Sequence, residues 1–133
     1  MFATDRPAAV PGKAVVALAL LFAASGTLHF FYRDFFDAAI PAWIPYHGAV
    51  ISVSGLLELL GAAGLLIPQT REVAAWALIA LLVAVFPANL QMLASARAVH
   101  SPAWEQALLW MRLPLQPLLM WVIYRYAARP AER

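Results

Sequence analysis

Four long apolar stretches, 14–32, 49–67, 73–93 and 107–126, alternate along the chain with short polar or proline-marked breaks. Each holds about 20 residues, and a helix rising about 1.5 Å per residue crosses the ~30 Å hydrocarbon core of a bilayer at that length. A spanning segment must satisfy its own backbone polar groups, because no water is present to do so, and a helix does this. The pattern therefore predicts four membrane-spanning helices with those bounds. The connections are too short to hold a second domain, so residues 1–133 read as one transmembrane domain, an all-α integral membrane four-helix bundle. Residues 1–12, with Pro7 and Pro11, read as a short mobile tail. The break at 33–48 is too aromatic for a free linker. Phe35, Phe36, Trp43 and Tyr46 suit a segment lying at the membrane interface, and Pro41 and Pro45 prevent a long helix there. In the 68–71 turn, Thr70 is placed to cap the third long helix.

Polar residues inside the apolar stretches carry the next layer of information. Glu58 lies in the middle of the second stretch, where a carboxylate at the bilayer centre costs at least roughly 2.5–3.5 kcal/mol unless it meets a partner or a cavity. At 100° per residue, Ser54, Glu58, Gly61, Ala62 and Leu65 share one face, with Gly55 at its edge. Val53, Leu56, Leu60 and Ile67 form the opposite, lipid-suited face. Ser25 and His29 share a face of the first helix, and Arg112 and Gln116 a face of the fourth. Helical rise puts Glu58 roughly 13 Å and Arg112 roughly 10 Å from one end of the bundle. His29 and Asn89 lie one turn from that same end. All four helices thus contribute a polar residue to one half of the membrane. Pro87, Pro114 and Pro117 interrupt the third and fourth helices and free the carbonyls of Val83, Trp110 and Leu113, which favours a polar interior beside the prolines.

Composition agrees with a membrane protein: 64% of residues are hydrophobic and 12% charged, against roughly 45–50% and 25% in soluble domains. The net charge of +2 does not signal nucleic acid, because the cations collect at helix ends rather than in a basic stripe. Arg6, Lys13, Arg71, Arg125, Arg129 and Arg133 fall on one side, and Arg33 and Arg97 on the other, beside Asp34, Asp37 and Glu105. The positive-inside rule then puts both termini in the cytoplasm and the 33–48 and 94–106 connections outside. A rival reading of the first stretch is a cleaved signal peptide, with AASG at 23–26 as the cleavage region. The aromatic continuation through Tyr32 suits a membrane interface instead. The absence of cysteine excludes disulfides, thiolate metal sites and thiol nucleophiles.

The simplest chemistry for these polar groups is an ion pair between Glu58 and Arg112, with His29, Asn89 and Gln116 completing the hydrogen bonds. Two readings stay open. The knot serves only to fix helix register, or it lines a cavity open toward the outer leaflet, with Glu58 and His29 as acid and base and Ser25, Ser54, Asn89, Arg112 and Gln116 holding a ligand. His29, His47 and His100 all fall toward the outer side, without the spacing of a metal or haem site.

Several segments in order resemble the DoxX-like family of small bacterial membrane proteins: SGTLHF at 25–30, PAWIP at 41–45, SGLLE at 54–58 followed by Gly61, Gly64 and Pro68, Arg71 with AAW at 74–76, VFPANLQM at 85–92 and RLPLQ at 112–116. The likeness covers roughly residues 14–126. It implies a multi-pass protein of the bacterial inner (plasma) membrane, associated with redox or oxidative-stress systems. The expectation is a polar pocket in the outer half of the bilayer that binds a quinone or isoprenoid. The protein then serves as accessory or partner subunit of a membrane redox system, as a monomer or a homo-oligomer. The alternatives are a stand-alone acid/base enzyme on an isoprenoid-like substrate and a purely structural or assembly subunit. The sequence names no cofactor.

Overall fold

Apolar runs of bilayer length become four long helices, joined by a short fifth. In the computed structural model, which describes residues 10–129, α1 spans Lys13–Phe31, α2 Arg33–Ala39, α3 His47–Leu66, α4 Arg71–Ala98 and α5 Ala103–Ile123, and a π-helical turn at Tyr124–Ala128 extends α5. No strand occurs among the described residues. The four long helices are each long and apolar enough to cross a membrane. Residues 1–9 of the expected mobile tail lie outside the described residues, as do Arg6 and Arg133 of the charge pattern.

The bounds depart from hydropathy where amphipathic turns continue a helix. α4 runs five residues past the expected end at 93, through a segment rich in alanine, and Gln91 Nε2 donates to Ser95 Oγ across that last stretch. α5 starts four residues before 107, on Pro102 with Glu105 in its first turn. α2 is the element the four-helix reading lacks. It is two turns long and stops before Pro41, since the residue ahead of a proline is driven out of the helical region. Arg33 fastens it to α3 through Ser52 Oγ and the Gly48 carbonyl, both at 3.0 Å.

Thr70 does not cap α4 as expected. Its hydroxyl donates backward to the Gly64 carbonyl at 2.9 Å, and Arg71 Nε donates to the Leu65 carbonyl at 2.8 Å. Both serve the orphan carbonyls at the end of α3. The prolines are also placed differently from expectation. Pro87, Pro114 and Pro117 are all exposed on the outer surface of the bundle, where an apolar ring is compatible with hydrocarbon.

The bundle divides along its length. In the half nearer the termini, Val15, Leu18, Phe22, Leu65, Leu78 and Ile123 belong to a closed apolar core. Small residues set the spacing there: a Cβ on Gly61 would lie 2.5 Å from Leu78 Cδ2, and one on Gly64 would lie 2.7 Å from Ala74 Cβ, so α3 and α4 nearly touch. α1 packs chiefly on α3, α3 on α4 and α4 on α5, while α1 approaches the π-helical turn that extends α5. The outer surface is apolar; Val53 and Leu60 are more than half exposed, on the face of α3 assigned to lipid from the sequence.

Candidate functional site

The site begins with two glycines. Gly26 of α1 and Gly55 of α3 face each other so closely that a Cβ on Gly26 would lie 2.8 Å from the Gly55 carbonyl oxygen. A Cβ on Gly55 would lie 2.7 Å from His29 Cβ. This contact brings the residues beside it together. Ser25 precedes Gly26, His29 lies one turn further along α1, and Glu58 lies one turn beyond Gly55 on α3.

Ser25 Oγ donates to Glu58 Oε1 at 3.2 Å. His29 Nδ1 lies 2.9 Å from the Ser25 carbonyl and 3.2 Å from Glu58 Oε2. The two side chains are only 11% and 12% exposed. Glu58 Oε2 is buried and makes no hydrogen bond of its own. Phe36 of α2 stacks on the imidazole, with ring centres 3.9 Å apart and planes 19° from parallel. The short helix thus covers the outer side of the pair.

A second polar group lies across the bundle. Asn89 Nδ2 donates to Gln116 Oε1, and Gln116 Nε2 donates to the Leu82 carbonyl. The chain of bonds ties α4 to α5, and both amides are buried. Its acceptor on α4 is one residue ahead of Val83, whose carbonyl the proline argument marked as free. Between the two groups is a cavity of about 240 Å³. Ser25, His29, Ser54, Glu58, Asn89, Arg112 and Gln116, the seven residues singled out in the sequence, all line it.

The expected ion pair is absent. Glu58 pairs with His29, and Arg112 is exposed at the cavity wall, its Nη1 reaching Met92 Sδ at 3.9 Å. The reason is packing. The glycine contact presses α1 onto α3, whereas α5 packs on α4 and not along α3. Asn89 and Gln116 likewise bond to each other rather than to Glu58, so one imagined knot is two separate groups. Sequence reasoning also missed Phe36 and Met92. The unusual aromatic content of the 33–48 segment was the available signal for Phe36, and Met92 lies one turn from Asn89 on the same face.

The three histidines do not converge. His29 is buried, His47 Nδ1 lies 3.0 Å from Asp37 Oδ1, and His100 follows α4 with a positive φ of 52°. Among the described residues no group of three or more His, Cys, Asp or Glu is placed to hold a metal ion.

A family model described as "Domain of unknown function (DUF8561)" matches residues 18–127, which include every residue of both polar groups. It provides no link to the DoxX-like proteins. No curated protein and no solved structure matches the chain.

Proposed function

We propose that this chain, which belongs to the family described as Domain of unknown function (DUF8561), is a multi-pass membrane protein binding a lipid-soluble ligand with a polar head. The observation that carries this reading is the placement of ionisable, hydroxyl and amide groups from four helices around one cavity inside an otherwise apolar bundle. Intramembrane ionisable residues mark ligand or ion sites by default.

Size and shape narrow the ligand. About 240 Å³ lies just below the roughly 300–1,000 Å³ of drug-sized pockets, which suits a head group rather than a whole lipid. Leu21 and Phe22 of α1 and Leu115 and Leu119 of α5 line the same cavity and offer an apolar tail a compatible wall. A quinone or an isoprenoid meets both conditions. The DoxX-like resemblance of the SGTLHF, SGLLE and RLPLQ segments supports a role as accessory or subunit of a redox system in the bacterial inner membrane. The charge distribution supports cytoplasmic termini, which puts the cavity in the outer half of the bilayer.

The test is mass spectrometry of lipids that co-purify in mild detergent. A stoichiometric quinone or isoprenoid, lost in Glu58→Gln protein of unchanged fold, is the expected result. Empty preparations, with a variant that alters stability alone, would leave only a structural role. A second reading has one observation in its favour, the 3.2 Å approach of His29 Nδ1 to Glu58 Oε2. Such a pair suits acid/base catalysis on an isoprenoid-like substrate. It predicts turnover by the purified chain that disappears in Glu58→Gln.

A further inference from the structure

Resting on the reading that the cavity holds a lipid-soluble ligand, we propose that this ligand carries a hydroxyl group and donates it to Nε2 of His29. The site then selects a hydroquinone over the quinone of the same skeleton.

The tautomer of the neutral imidazole follows from its neighbours. The Ser25 carbonyl can only accept, and Nδ1 lies 2.9 Å from it, so the hydrogen is on Nδ1. In the neutral ring, Nε2 is then an acceptor. Nε2 makes no hydrogen bond to any described residue. It is also not sealed off, because the only buried side-chain nitrogen or oxygen atoms without a partner among the described residues are Glu58 Oε2 and Arg71 Nη2. His29 lines the cavity, and Phe36 covers one face of its ring. The ring edge that carries Nε2 is therefore the part of the pair left for a ligand.

Other groups restrict what the head looks like. Gln116 has already committed its carbonyl to Asn89 and one N–H to Leu82. Arg112, at the same cavity, is a pure donor whose Nη1 reaches Met92 Sδ, so it can serve an oxygen acceptor of the ligand. A head with one hydroxyl toward His29 and a second oxygen toward Arg112 answers both. A hydroquinone has this pattern. A quinone satisfies Arg112 but sets a carbonyl lone pair against the Nε2 lone pair. Glu58 touches the ligand's acceptor only through His29 and acts as a positioning residue.

The purified full chain, in detergent and without oxygen, is titrated with a prenylated hydroquinone and with the quinone of the same tail. Occupancy is read by native mass spectrometry. The hydroquinone should bind at least about ten-fold more tightly, the usual cost of one unmatched buried polar group. His29→Phe keeps a planar ring against Phe36 and removes both nitrogens, so the ratio should fall to about one. Equal affinity, or a preference for the quinone, in the unaltered chain overturns the hydroxyl assignment and leaves the cavity reading standing. Retention of neither compound overturns the hydroxyl assignment together with the quinone reading of the cavity. The ratio in the unaltered chain decides the question whether or not the variant folds.

Discussion

Two glycines determine what Glu58 meets. The Gly26–Gly55 contact leaves no room for a methyl group on either side, with hypothetical Cβ distances of 2.7–2.8 Å to fixed atoms of the facing helix. Gly55→Ala should therefore push α1 from α3 and lower stability by about 1–3 kcal/mol, the usual cost of overpacking. Unfolding in mixed detergent micelles measures this, and an unchanged midpoint would show that the helices separate without penalty. The seven site residues were legible because each is polar within an apolar helix, and all seven line the cavity. Their pairing was not legible. Depth along the helices placed Arg112 and Glu58 at similar levels, but depth does not say which helices touch. Small residues decide that, and glycine reads in sequence as an absence of side chain rather than as a contact.

At the level of helices, α4 and α5 are joined by a short polar chain, Asn89 to Gln116 to the Leu82 carbonyl. Gln116→Ala removes the middle of it, taking away the acceptor of the buried Asn89 amide and the side-chain donor to the Leu82 carbonyl, a loss of about 1–3 kcal/mol. Replacing both amides, as in Asn89→Leu with Gln116→Leu, should cost less than the two single changes added, because fewer polar groups are then stranded. A double-mutant cycle on thermal unfolding tests this; strict additivity would mean that the two amides do not support each other. The long helices were readable from hydropathy, since a run of bilayer length leaves few alternatives. α2 was not, because seven residues with three charges and two phenylalanines fall below the length at which periodicity is informative. Its importance is positional: it brings Phe36 against His29 and fastens the mouth of the cavity to the start of α3.

For the whole molecule, the decisive question is which way the bundle faces. The described cations Lys13, Arg71, Arg125 and Arg129 lie at one end, and Arg33 and Arg97 lie at the other beside Asp34, Asp37 and Glu105. The cavity occupies the second half and the closed apolar core the first. Positive charge is retained on the cytoplasmic side during insertion, so the cavity should be in the outer leaflet. The cysteine-free sequence makes the test direct, since any introduced thiol is unique. Ala42 and Gln69 are exposed residues at opposite ends. In intact cells, a membrane-impermeant maleimide should label Ala42→Cys and should label Gln69→Cys only after permeabilisation. The reverse pattern would turn the bundle over and place the cavity in the cytoplasmic leaflet. Orientation also bears on the ligand's path. On the proposed reading, the leaflet that holds the cavity is the one that supplies a lipid-soluble ligand.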